Sequence, residues 1–219
     1  MIYLSIYHFI IGMVKRKTKF AFNLTLPVIL SLIVAIPLIA VSQLEIEQQN
    51  QEWLTYENTY PLKMKIDYPK DWVYSEKTLY PYSFVYFSPS DVVLNYTEDE
   101  QGVFFSAGIA DTEDFPFQNM PLELWIKEHK RDNYEKLYKV NYTESIPIML
   151  ENGTLSAHKN ILEYDHERSV GAGTFMRKSM EILTVKNSKA YALIYTADPE
   201  RFSEYLPIAE KMIDSIQIT

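Results

Sequence analysis

The chain contains no cysteine, which excludes disulfides, thiolate metal sites and cysteine nucleophiles together and leaves the folded part to its apolar core alone. Only six glycines occur in 219 residues, and none builds a phosphate-binding loop: Gly171-Ala-Gly173 lacks a third glycine and a following helix. A Gly-x-Ser-x-Gly elbow and a His-Glu-x-x-His pair are absent too, so the common serine-hydrolase and zinc-protease signatures have no carrier. No acidic residue precedes Glu45, and no basic residue stands between Lys19 and Lys63. These two gaps in charge divide the chain.

What fills the first gap is apolar. Phe20 to Val41 carries no charge, and Leu24 to Ala40 is almost wholly Leu, Ile, Val, Ala and Pro; at about 1.5 Å per helical residue such a run crosses a hydrocarbon layer of about 30 Å. Lys15, Arg16, Lys17 and Lys19 stand just before it, so the positive-inside bias places the N-terminus in the cytoplasm and the remainder outside it. The expected organisation is a basic cytoplasmic segment over 1–19, a transmembrane anchor or signal sequence over 20–41, a polar stalk over 42–55 and a folded domain over 56–219. Met13 followed by Val-Lys-Arg-Lys has the form of a signal n-region, which makes Met13 an alternative start to Met1. Ala40-Val41-Ser42 offers small residues at signal-peptidase spacing, so retention at the membrane and cleavage with secretion both stay open. With four of the 21 basic residues ahead of the apolar run, 17 remain against 29 acidic ones, a net charge of −12 on the exported part. Such a domain does not seek nucleic acid, and its lipid contact is expected through 20–41 alone.

Past the stalk, Leu62 to Pro69 alternates apolar and charged residues, the period of a half-buried strand. Trp72 to Lys77, Phe84 to Ser88 and Gly102 to Ala110 are further strand candidates bounded by turn residues. A helix is expected from Pro121 to near Tyr138, with Leu122, Trp125, Ile126 and His129 on one face. Two hairpins follow. Ile146 to Leu150 and Leu155 to Tyr164 flank Asn152-Gly153, and Met180 to Lys186 and Lys189 to Thr196 flank Asn187-Ser188. Asp198 suits an N-cap for a last helix carrying Tyr205, Ile208, Ala209, Met212 and Ile216, which Pro207 should kink or split. Strands, helix, strands, helix argue for an α+β fold with an antiparallel sheet.

The strand ending Tyr68-Pro69-Lys70-Asp71-Trp72, then Val85-Tyr86-Phe87-Ser88-Pro89, and Tyr191-Ala-Leu-Ile-Tyr-Thr-Ala197 leading into Tyr205-Leu-Pro-Ile-Ala-Glu-Lys-Met-Ile-Asp-Ser-Ile216 together resemble the PsbP-like family over most of 56–219. The resemblance implies an antiparallel sheet sandwiched by helices. It also implies an accessory role, since the best-known members are lumenal subunits that help photosystem II retain calcium and chloride. The lysine-flanked apolar leader departs from that subgroup and looks like the anchored stand-alone members of prokaryotes, above all archaea. No functional residue carries over, because no binding motif of the photosynthetic subgroup is matched.

Candidate sites are few. Asn-x-Thr triplets at Asn23, Asn95, Asn141 and Asn152 exceed chance and point to an exported, glycosylated surface, with Asn23 silent inside the apolar run. Acidic clusters at Glu98-Asp99-Glu100, at Asp111, Glu113 and Asp114, and at Glu163, Asp165, His166 and Glu167 are metal-site candidates for calcium or another divalent cation. None has the ligand spacing of a calcium loop, and solvated loop charge is the simpler account. His129 on the apolar helical face reads as structural. The expectation is therefore a binding or accessory module without catalytic activity, partnered by another membrane or surface protein. The rival expectation is a metal-dependent surface hydrolase built on the acids around His166.

Overall fold

The computed structural model describes residues 51–79, 82–90, 102–110, 120–167 and 174–219. The cytoplasmic segment, the apolar run, most of the stalk, Asn95, the acidic clusters of 98–100 and 111–114, and Gly171-Ala-Gly173 all lie outside the described residues. Among the described residues no helix is long and apolar enough to cross a membrane.

Glu52–Thr219 forms one compact unit. Its elements, in chain order, are β1 (Trp53–Asn58), β2 (Met64–Pro69), β3 (Trp72–Leu79), β4 (Tyr82–Pro89), β5 (Phe104–Ala110), α1 (Leu122–Lys136), β6 (Tyr138–Leu150), β7 (Leu155–Glu167), β8 (Thr174–Lys186), β9 (Lys189–Ala197), α2 (Pro199–Asp214) and β10 (Gln217–Ile218). All pairings are antiparallel. A seven-stranded sheet runs β3-β4-β5-β9-β8-β7-β6, and a small sheet runs β1-β2-β10.

Strand alternation sorts the two faces of the large sheet. Phe105, Ala107 and Ile109 of β5, Met180 and Ile182 of β8, and Tyr191, Leu193 and Tyr195 of β9 enter one core with Ala209, Met212 and Ile213 of α2 and Ile66 of β2. The opposite side chains Leu183 and Ala190 pack under Trp125 of α1. The sheet is thus held between helices, as expected, with the small sheet joining α2 on its side. Each fully buried aliphatic or aromatic side chain adds about 1.5–3 kcal/mol relative to exposure.

Several boundaries differ from the sequence reading for physical reasons. β1 begins at Trp53 rather than past residue 55, because Trp53 packs on the core and carries the Lys211 ammonium 4.2 Å over its ring. Pro207 does not divide α2, which is continuous through it. Its ring lies on the exposed face, where the carbonyl it leaves without a partner can meet water while Phe202, Ala209 and Met212 keep facing the core. The chain then leaves the helix, and Gln217 and Ile218 pair with Lys65 and Met64. Asn187 and Ser188 take φ of 52° and 60°, the left-handed pair of a tight hairpin. The other hairpin uses Glu151 as well as Asn152 and Gly153 in the left-handed region. Glu151 is held there by Lys186 Nζ, at 2.9 and 2.7 Å, and by the Ile218 amide at 2.7 Å.

Candidate functional site

A polar layer lies between α1 and the strands beneath it. Register sets Ser145 of β6, Asn160 of β7 and Glu181 of β8 side by side in one row, and residues so paired share a face of the sheet. That face is the one under α1, since Leu183, two residues beyond Glu181, packs against Trp125. From above, α1 lowers His129, Lys130 and Asn133 onto the row, where Trp125, His129 and Asn133 follow the four-residue spacing of one helical stripe.

Glu181 is buried and has two partners on α1. Asn133 Nδ2 donates to its Oε1 at 3.0 Å and to the Tyr142 hydroxyl at 3.1 Å. His129 Nε2 stands 3.3 Å from Oε2, yet off the line that a hydrogen bond needs, so neither atom has a hydrogen-bond partner. Burial, reinforced by the Glu181 carboxylate, pushes the Tyr142 phenol up to about 12.

Ser145 owes its position to a bulge. The register slips between Tyr142 and Glu144, so Tyr142 and Ser145, an odd number of residues apart, end on one face, opposite Leu162 and Asn160. Three groups converge on the Ser145 hydroxyl. Lys130 Nζ donates to Oγ at 2.6 Å, His158 Nε2 lies 2.8 Å away, and Oγ donates to Asn160 Oδ1 at 3.0 Å. Ser145 is exposed, Lys130 and His158 are half-buried, and Asn160 is fully buried. Burial first, and then the Lys130 cation, hold His158 below the ordinary imidazole range, so the ring is neutral at pH 7. Asn160 Nδ2 has no hydrogen-bond partner; a buried donor in that state costs about 1–3 kcal/mol.

Among the described residues, Glu163, Asp165 and His166 do not meet as a metal centre. β7 continues as regular strand through Glu167 instead of turning, so Glu163 and Asp165 face one side and His166 the other. Glu163 is paired with Lys178 at 3.0 Å and Asp165 with Lys139 at 2.6 Å, while His166 meets the Phe175 ring edge-on at 5.3 Å. The Glu167 side chain lies outside the described residues. No three His, Asp or Glu side chains converge as metal ligands among the described residues. Asn141, on outermost strand β6, and Asn152, at the hairpin tip with φ of 56°, are both exposed. The Thr154 hydroxyl of the second triplet donates to the Glu151 carbonyl at 2.8 Å.

The cluster around Ser145 has no local motif to announce it. One signal was present: Ser145 and Asn160 are equally far from the centre of Asn152-Gly153, so the hairpin turn alone sets them opposite each other. The bulge and the arrival of Lys130 from α1 have no such signal.

A seven-stranded antiparallel sheet between two helices, with its small sheet on one side, defines the PsbP-like fold. The chain is similar in structure to the cyanobacterial PsbP protein of Synechocystis, with a TM-score of 0.51 over 77% of this chain and 94% of that one, at 9% identity. A Pseudomonas aeruginosa protein of unknown function, described as a putative regulator, aligns with a TM-score of 0.44 over 75% of this chain and 95% of its own, at 7% identity. No known family and no curated protein matches the sequence. At 9% identity it is the fold alone that the chain shares with the cyanobacterial protein.

Proposed function

We propose that the chain is an extracytoplasmic accessory or binding module of PsbP-like type, anchored by 20–41 and docking on a membrane complex or another surface protein. The observation that carries this reading is the lysine cluster of 15–19 followed by an uncharged apolar run and then a stalk and domain that together carry a net charge of −12. The PsbP-like fold of that domain supports it. A tether confines the domain to a thin layer at the membrane, which raises the effective concentration of membrane partners and lets modest affinity suffice. Docking needs no turnover. Exposed Asn141 and Asn152 are the described positions where a glycan would attach on such a surface.

The test uses the full chain with a C-terminal tag in its membrane. Protease added to intact cells is expected to remove the tag, and the tag is expected to pellet with membranes and to capture a defined partner after detergent extraction. A tag that stays soluble in the cytosol and protected from protease overturns the reading.

A further inference from the structure

We propose that Ser145 is a nucleophile that takes the acyl group of an uncharged carboxylic ester, with His158 as its general base and Lys130 as the cation that stabilises the developing oxyanion. This goes beyond docking, and it stands whether or not residues 20–41 form an anchor.

A serine hydroxyl reacts only if a base takes its proton as the new bond forms, and the base must lie within hydrogen-bond reach. His158 Nε2 is 2.8 Å from Oγ. The ring is available as a base because burial and the Lys130 charge both oppose its protonation. Lys130 Nζ, 2.6 Å from Oγ, is close enough to reach an oxygen on the carbon that Oγ attacks, and a cation placed there stabilises the charge of the tetrahedral state. The single Oγ proton has two acceptors within reach, Asn160 Oδ1 at 3.0 Å and His158 Nε2, and attack uses the hydroxyl rotamer that gives it to His158. The hydroxyl is exposed on outermost strand β6, so an ester can reach it.

The same surroundings set the substrate class. Tyr142 and Pro147 lie on the Ser145 face to either side along β6, the first opposite Leu162 and the second opposite His158. These apolar flanks suit a short aliphatic or aromatic acyl group, and the Glu181 carboxylate in the same row disfavours an anionic one.

In the acylation step the Oγ to carbonyl-carbon bond forms while the hydroxyl proton moves to His158 Nε2. The ester C–O bond then breaks, and the imidazolium returns that proton to the departing alcohol. Water, deprotonated by the same nitrogen, releases the carboxylic acid and restores the serine hydroxyl.

The test is labelling of the full chain, in detergent, with a fluorophosphonate probe, whose phosphorus takes the Oγ bond as fluoride leaves. Peptide mapping is expected to place one adduct on Ser145, absent in Ser145→Ala. His158→Gln is expected to slow labelling about a hundredfold and Lys130→Met to slow it by less, with melting temperatures unchanged. Release of p-nitrophenolate from p-nitrophenyl acetate should follow the same order. No adduct on Ser145, or labelling of His158→Gln at the rate of the unsubstituted protein, overturns the proposal and leaves the contacts as cross-strand packing.

Discussion

Asn160 places an amide at a fully buried position of the polar row. It is fully buried in an inner strand, with one amide donor unpartnered and its oxygen given to an exposed serine. Replacing it by valine removes the orphan donor and suits a strand. The expected outcome for Asn160→Val is a stability equal to the parent or higher by up to about 1 kcal/mol, measured by denaturant midpoint. Probe labelling of Ser145 should rise in the same variant, because the hydroxyl proton no longer has Asn160 Oδ1 to turn to. A loss of stability greater than about 1 kcal/mol would mean that the amide has a structural partner in solution.

At the scale of elements, Glu151 joins two distant parts of the chain. Its carboxylate takes the Lys186 ammonium and the Ile218 amide, so the β6–β7 turn also secures β10. With both side chains partly shielded, Glu151→Ala should cost about 2 kcal/mol. The check is a double-mutant cycle with Lys186→Met, expected to be clearly non-additive; additive losses would show the contact to be energetically idle. Much of this architecture was legible beforehand. Asn152-Gly153 and Asn187-Ser188 located two hairpins because few residues tolerate left-handed backbone, and Met64, Ile66 and Tyr68 announced β2 by alternation. What escaped the sequence was decided by distant partners. Two residues of β10 are a strand only because β2 is there to pair with them, and Asp198 stands at the N-cap of α2 as expected but gives its carboxylate to Arg177 Nη1 at 3.0 Å instead of to the helix amides. The acids around His166 looked like one site when their order along the chain was considered, and strand alternation separates them.

At the scale of the molecule, buried tyrosines hold their protons against alkali. Burial, aided by Glu151, pushes Tyr191 up to about 12; burial raises Tyr142 to about 12 as well and also raises Tyr195. An unfolded phenol ionises near 10.0, so between about pH 10 and pH 12 the unfolded chain has lost protons that the folded one keeps. Stability that is fully present below pH 10 should therefore decline from about pH 10 upward. Thermal melts from pH 8 to 12 read this directly, and a melting temperature that is flat across the range would contradict it. On the acid side His158 acts in the other direction. Its folded value lies below 6.5, so the unfolded chain takes up the proton first and stability falls as pH drops below about 6.5.

β9 lies between β5 and β8 in the large sheet, although most of the chain is synthesised before it. Phe105 must therefore wait for Tyr195, and until then β5 presents an apolar edge with nothing beside it. A chain emerging gradually from a ribosome or a translocation pore cannot complete its sheet piecemeal. Closure across so long a loop is slow, and the nascent half-sheet is the species that a holding chaperone would have to shield.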